Sequence, residues 1–231
     1  IAQVTTNAYD CTVTSSPAIL LDQEWPFENV QYTGLQTRWA RTTSESKAIY
    51  NMATNTVAGS ALTAYAYEAT YGNLTTKTES GTGIETRTTF TNYYPNNSGG
   101  KWLVGLPART YVRDAANLTR SLTMNLYDGA DVFNTAPTTG ILTATRTWIS
   151  GTQYAQTSMA YDAWGNVTAQ TTWSGYGGVS SVPTAGARTS STVYDAAYHT
   201  YATSMTNPLG HVTYVDYSGI AVQGTAYTGY S

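Results

Sequence analysis

The sequence predicts an all-β fold of repeated antiparallel β-hairpins. Its 231 residues include 20 tyrosines and 43 threonines, two residue types that suit the pleated surface of strands. Residues alternate between apolar and polar at 86–90, 143–148 and 168–173, which is typical of half-buried strands. No window of eleven or more residues shows a convincing helical period, so strands should dominate throughout.

The composition excludes several function classes. Charged residues make up 11% of the chain, less than half of the roughly 25% that is usual in soluble domains. The 11 basic residues are scattered, and Arg38 with Arg41 is the nearest approach to a cluster, so we predict no nucleic-acid binding. A single cysteine, Cys11, excludes an intrachain disulfide framework. No apolar run reaches 18 residues, so no membrane span is predicted.

The stretch SMAYDAWGNVTAQTTW, residues 158–173, has the features of a hairpin. Asp162 and Gly165 stand at the ends of a four-residue type I turn, and Gly165 supplies the positive φ that closes it. The Asp162 side chain can accept hydrogen bonds from N–H groups inside the turn. Tyr161 precedes the turn, where its ring can lie across the base of the hairpin.

Weaker copies of this hairpin recur along the chain. In chain order they are Tyr67-Glu68 with Gly72-Asn73, Tyr94 in FTNYYPNN, Tyr127-Asp128, and Tyr194-Asp195. With Tyr161 included, the successive tyrosine separations are 27, 33, 34 and 33 residues. A period near 33 predicts an array in which each unit contributes two hairpins.

These motifs resemble the YD-repeat, or Rhs-repeat, family. Tyr161-Asp162-x-x-Gly165-Asn166-Val167 matches the family's Tyr-Asp-x-x-Gly-Asn/Arg-Leu/Val motif. Residues 194–214 resemble a unit that ends in Thr-Asn-Pro-Leu-Gly-His and includes Gly210 and His211, and WLVGLPAR at 102–109 resembles a linker of the family's toxin shells. We therefore expect a hairpin array over residues 60–231, preceded by a β-rich segment, 1–59, whose repeat membership the sequence leaves open.

The resemblance implies a spiralling or stacked strip of hairpins that serves as inert scaffold. The expected role is that of an extracellular or cell-surface shell, stalk or self-assembling filament, reached by bacterial-type export, without enzymatic activity or cofactor. One alternative is a segment of a toxin-encapsulating cage, and another is a carbohydrate-binding adhesin. The chain starts at Ile1 without a methionine and stops in a strand-like pattern, so we expect it to be a piece of a longer polypeptide.

Self-association follows from the scarcity of charge. Exposed strand edges usually carry lysine or proline, which prevents pairing with another chain. The stretches 121–127, 141–145 and 152–161 contain neither residue type. The expected partners are therefore copies of this chain or flanking repeats of the same polypeptide.

Two candidate metal sites have simpler interpretations. His199 and His211, with Asp195 and Asp216 nearby, are a candidate zinc set, but both histidines fall in turn-like or repeat-like positions. The stretch 128–134 offers oxygen ligands suited to calcium, yet it reads more simply as a turn followed by a polar loop. We predict no metal site.

Catalytic and glycan sites have weak support in the sequence. Glu24 and Glu28 flank Trp25-Pro26-Phe27, a composition that also occurs in sugar-cleaving clefts, but an aromatic-anchored loop explains it as well. No nucleophile elbow or phosphate-binding loop is present, so we predict no catalytic residue. Trp164 falls at a hairpin tip, where burial is difficult, and is therefore the best candidate for stacking on a sugar.

Overall fold

The computed structural model describes residues 2–14, 37–217, 221–222 and 225–226. These residues form fifteen β-strands and no helix, so this part of the chain holds no helix able to cross a membrane. The strands are β1 (Ala2–Thr14), β2 (Thr37–Asn51), β3 (Thr56–Tyr67), β4 (Leu74–Gly81), β5 (Ile84–Tyr93), β6 (Pro107–Asp114), β7 (Thr119–Tyr127), β8 (Leu142–Ser150), β9 (Gln153–Tyr161), β10 (Val167–Trp173), β11 (Ala187–Tyr194), β12 (Ala202–Thr206), β13 (Val212–Tyr214), β14 (Ala221–Val222) and β15 (Thr225–Ala226).

The strands pair in the order in which they occur along the chain. Among the described residues, β1 to β13 form one antiparallel sheet, and β14 pairs with β15 in a separate hairpin. Sequential antiparallel order needs only short turns between neighbours. The prediction of an all-β chain of repeated antiparallel hairpins is confirmed.

The chain divides into two compact units. One comprises Ile1–Thr89 with Asp114–Ala116, and the other Phe90–Arg113 with Asn117–Ser231. The predicted segment boundary at residue 59 falls inside β3, and the repeat membership of the first segment stays a prediction. The predicted hairpin at Tyr67-Glu68 belongs to the first unit, and those at Tyr127-Asp128, Tyr161-Asp162 and Tyr194-Asp195 belong to the second.

The buried core of the described residues is small and belongs to the second unit. Its apolar members are Ala108, Met124, Leu126, Tyr127 and Ala144. Leu126 is paired with Ala144, so their side chains share one face of the sheet. Four polar residues, Arg146, Gln156, Asp195 and Thr203, are buried as well.

Many large apolar side chains remain exposed. Against five buried apolar residues, 24 large apolar side chains of the described chain are at least 38% exposed. The abundant threonines use their hydroxyls across strands: Thr171 bonds Thr189 at 2.8 Å and Thr78 bonds Thr88 at 3.1 Å. The sheet thus presents hydroxyl-rich and apolar surface where most soluble domains present charge.

The stretches without lysine or proline are not sheet edges. Residues 121–127, 141–145 and 152–161 fall almost entirely within β7, β8 and β9, and each of these strands has a neighbour on both sides. An internal strand needs no lysine to prevent aberrant pairing, so the expectation that these stretches are unprotected edges is wrong. In the described part of the sheet, the outermost strands are β1 and β13.

Candidate functional site

Four tyrosines end four strands in the same way. Tyr67, Tyr127, Tyr161 and Tyr194 are the last residues of β3, β7, β9 and β11. Each hydroxyl donates to a main-chain carbonyl of the preceding strand. The oxygens are those of Thr42 at 2.9 Å, Pro107 at 3.0 Å, Leu142 at 2.7 Å and Val167 at 3.4 Å.

Tyr94, the remaining tyrosine of the sequence series, has different surroundings. It follows β5, and its ring packs edge-on against Phe133 with centroids 6.0 Å apart. Pro95 comes next in place of an acidic residue. The shared position of the other four tyrosines therefore goes with an acidic residue directly after the tyrosine.

An acidic side chain closes the turn after each of the four strand-ending tyrosines. Glu68 accepts from three N–H groups of residues 70–73, and Asp162 from two of residues 164–166 and from the Asn166 amide. Asp195 accepts from four N–H groups of residues 197–201. Asp128 accepts from four of residues 138–141 and from the Thr139 hydroxyl. The carboxylates thus replace the missing main-chain acceptors of the turns.

The same residues also close the turns with their own main chain. The main-chain N–H of each acidic residue donates to a carbonyl at the far end of its turn. The distance is 3.0 Å from Glu68 to Asn73 and 2.9 Å from Asp195 to Tyr201. Asp128 reaches Ile141 at 2.7 Å across the longest of these loops. The closure is constant while the loop length varies, which explains the extra spacer after Tyr67.

The turn at Asp162 has the predicted geometry. The Gly165 N–H donates to the Asp162 carbonyl at 3.3 Å, and Gly165 has a φ of 88°. A left-handed φ costs a side chain about 1–2 kcal/mol, and glycine avoids this cost. Gly72, in the turn after Tyr67, is likewise left-handed.

The turn between β12 and β13 is a neutral version of the same device. The Asn207 side-chain oxygen accepts from the N–H groups of Leu209 and His211 at 2.9 and 3.0 Å, the spacing that Asp162 uses. Gly210 is left-handed with a φ of 82°. The His211 ring nitrogen Nδ1 lies 3.2 Å from the Asn207 amide nitrogen, so this histidine belongs to a turn.

The two turns that follow Tyr161 and Tyr194 contact one another. The Asn166 amide donates to Asp162 at 2.9 Å and to the carbonyl of His199, in the next such turn, at 2.6 Å. The Trp164 ring stacks on the His199 ring with centroids 3.4 Å apart, yet it remains 62% exposed. Asn166 and His199 are 33 residues apart, so for this pair of turns the sequence period corresponds to a physical link.

The turn carboxylates have lowered pKa values. Burial of Asp195 raises its pKa, but N–H donors, Tyr201 and Tyr198 first among them, outweigh burial and lower the pKa to about 2. Burial is opposed in the same way at Asp128, Asp162 and Glu68, where hydrogen-bond donors hold each pKa below its ordinary value. The ionised form is therefore the one that stabilises each turn.

Acid should unfold the hairpin array. In the unfolded chain these carboxyls titrate near pH 4, and in the folded chain they titrate lower, so their stabilisation is complete above about pH 5. It is lost as the pH falls from about 4 through about 2, the folded value of Asp195. Urea unfolding at a series of pH values measures this loss, and Asp195→Asn should make the curve shallower. A stability that stays constant down to pH 2.5 would contradict the assigned role of the carboxylates.

Removing a tyrosine hydroxyl should cost most where its hydrogen bond is short. We expect Tyr161→Phe, which loses the 2.7 Å bond to Leu142, to lower the free energy of unfolding by about 1 kcal/mol. The matched variant Tyr194→Phe loses a more exposed bond of 3.4 Å and should cost about half as much or less. Chemical denaturation of both variants provides the comparison, and equal losses would show that the hydroxyl geometry is irrelevant.

An arginine–aromatic ladder on β5 and β6 escaped sequence reasoning. Phe90 and Tyr111 stack with ring centroids 4.9 Å apart, and the Arg113 guanidinium lies 5.2 Å from the Tyr111 centroid. The Arg109 guanidinium contacts both Tyr111 at 4.8 Å and Phe133 at 4.7 Å. The alternation of Arg109, Tyr111 and Arg113 in β6 was the available signal, since residues two apart share one face of a strand.

A second feature missed from the sequence is the buried Arg146. Its Nε donates to Gln156 at 2.7 Å, while its Nη1 donates to the carbonyls of Asp131 at 2.7 Å and Val179 at 3.0 Å. Those carbonyls lie on the loops 128–141 and 174–186. One guanidinium therefore fixes two loops over β8 and β9.

The candidate metal ligands lie in the described part of the chain, whereas the candidate catalytic glutamates do not. His199 and His211 lie in different turns, and no cluster of three histidine, cysteine or acidic side chains that could hold a metal occurs in the described chain. The Asp128 oxygens face N–H and O–H donors, an environment suited to an acceptor and not to a cation. Glu24 and Glu28 lie outside the described residues.

The predicted glycan contact, Trp164, is an exposed aromatic ring with a fixed orientation. It differs from Trp148, whose indole N–H donates to the Gly151 carbonyl at 3.0 Å and whose side chain is half-buried. Trp102 is 72% exposed.

A scan against protein-family models finds no match, and a search of curated proteins finds no similar sequence.

Proposed function

We propose that this chain is a structural scaffold of the YD-repeat type, an extracellular shell, stalk or filament segment without enzymatic activity. The observation that carries the proposal is the shared geometry of the tyrosine–acid turns. Four strand ends use the same two devices, a hydroxyl bound to the neighbouring strand and a carboxylate bound to turn N–H groups. A sheet that is extended by repeating one kind of turn is suited to a structural role.

The chemistry of the acidic residues supports a structural role. A general acid or base must be free to exchange a proton with a substrate. The turn carboxylates accept up to five hydrogen bonds from their own loops, and their pKa values are lowered. Such carboxylates remain ionised, and their oxygens are engaged in hydrogen bonds that stabilise the turns.

The balance of apolar surface supports assembly with other protein. The described residues bury five apolar side chains and leave 24 large ones exposed, and burial of part of this surface against other protein would be favourable. The proposed partners are further copies of this chain or neighbouring repeats of the same polypeptide.

Electron microscopy and sedimentation of the full chain test the proposal together. We expect particles larger than the 24.8 kDa monomer, and we expect their share to rise with protein concentration. A monodisperse monomer at all accessible concentrations would overturn the proposal.

A second candidate function is glycan binding at Trp164. The ring is 62% exposed and its stack on His199 fixes its orientation, which lowers the entropic cost of stacking on a sugar. We expect glycans to quench tryptophan fluorescence in the wild type and not in Trp164→Ala. Trp102→Ala removes another exposed tryptophan and should leave the quenching unchanged. A glycan array without binding would exclude this function.

A further inference from the structure

Strand β1 is a long outer strand of the sheet. All thirteen residues from Ala2 to Thr14 pair with β2, and among the described residues no strand pairs with the other side of β1. Side chains 3–10 are exposed, with Val4 at 48% and Tyr9 at 62%. Its outward N–H and C=O groups form a template on which another strand can pair.

This strand lacks the devices that usually prevent such pairing. It contains no lysine and no proline, and Asp10 is its only charged residue. The register shift between Ala8 and Tyr9 leaves Thr43 of β2 without an opposite residue, so the bulge lies on β2 and the run of β1 residues is unbroken. A bulge on the outer strand itself would have hindered an incoming strand.

We propose that β1 pairs antiparallel with β1 of a second copy of this chain, about a twofold axis at Ala8. This interface deepens the proposed scaffold function and rests on it. The other outermost strand in the described sheet, β13, has only three residues, so β1 matches in length only another β1. An isologous contact of this kind also satisfies the symmetry of a closed dimer.

The proposed register is self-complementary. Pairing about Ala8 sets Asp10 opposite Thr6 and Tyr9 opposite Asn7, as residues equidistant from Ala8 must be. No like charges meet, and each tyrosine ring can cover a neighbouring polar residue across the interface. Ala8 lies opposite Ala8 of the second copy. It is therefore the position of this register at which one substitution places two identical side chains directly opposite one another.

A charge swap at residue 8 tests this geometry. In the full chain, Ala8→Lys and Ala8→Glu each bring two like charges directly opposite one another, so each should weaken self-association by about fivefold. An equimolar mixture should recover a heterodimer, because lysine then lies opposite glutamate. Sedimentation velocity and mass photometry measure the dissociation, and Ala163→Lys with Ala163→Glu, at an exposed turn position, are the matched controls.

The outcomes distinguish this proposal from the scaffold function. Rescue in the mixture, without any effect at residue 163, supports β1–β1 pairing and shows that both variants fold. Assembly that is insensitive to charge at residue 8, or weakened without rescue, overturns β1–β1 pairing and leaves the scaffold function in place. A strictly monomeric wild type overturns both.

Discussion

Replacing Arg146 with methionine is expected to lower the free energy of unfolding by about 3 kcal/mol, because it removes the donor from the buried Gln156 oxygen and from two partly buried carbonyl oxygens. Arg146 is 1% exposed, and its guanidinium bonds Gln156, Asp131 and Val179. Methionine retains much of the apolar volume of the side chain, so the loss reports mainly on hydrogen bonding. Urea unfolding monitored by tryptophan fluorescence measures it.

The exposed arginine of β11 is the control. Arg188 lies on the surface, and Arg188→Met should change the free energy of unfolding by about 0.5 kcal/mol or less. Hydrogen exchange adds a second readout, since Arg146→Met should speed exchange in loops 128–141 and 174–186 together. Similar losses in the two variants would show that the guanidinium does not anchor these loops.

The local turns could be predicted because their causes are local in sequence. Asp162 and Gly165 are three residues apart, and the preference of aspartate for turn N–H groups and of glycine for positive φ acts within that span. The structure shows both, with the Trp164 N–H bound to Asp162 at 2.9 Å and a φ of 88° at Gly165. Sequence alone thus located the hairpin, and the alternation of its flanks indicated strands.

The role of the tyrosine hydroxyls could not be predicted in the same way. The Tyr161 hydroxyl bonds the carbonyl of Leu142, 19 residues earlier, and any residue at position 142 would offer that oxygen. Main-chain partners leave no trace in the sequence. The period near 33 indicated that a shared role existed, without its chemistry.

Buried arginine and strand order escaped prediction for other reasons. Arginine is almost never fully buried unless it is paired, and the main-chain partners of Arg146 lie on two distant loops. The absence of lysine in β7, β8 and β9 suggested free edges, but an internal strand has the same composition as an unprotected outer one. Position in the sheet, which composition does not encode, separates the two.

Asp128→Ala is expected to lower the free energy of unfolding by about 2 kcal/mol, a value moderated by the access of water to the vacated N–H groups. The carboxylate accepts from the main chain of residues 138–141 and from Thr139. It therefore closes the longest of the tyrosine–acid loops. Loss of the acceptor should release that loop, which carries both Phe133 and the Asp131 carbonyl bound by Arg146.

Three substitutions at this position separate the backbone effect from the acceptor effect. Asp128 has a φ of 56°, so alanine adds left-handed strain of about 1 kcal/mol that glycine relieves. We therefore expect Asp128→Ala to be the least stable, Asp128→Gly to recover about that amount, and Asp128→Asn, which retains one acceptor oxygen, to be the most stable of the three. If asparagine and alanine unfolded alike while glycine matched the wild type, backbone strain alone would explain the position. The ordering expected from the hydrogen bonds would instead show that the carboxylate holds the end of β7 and the start of β8 together. The same tyrosine–acid arrangement would then close turns of very different length.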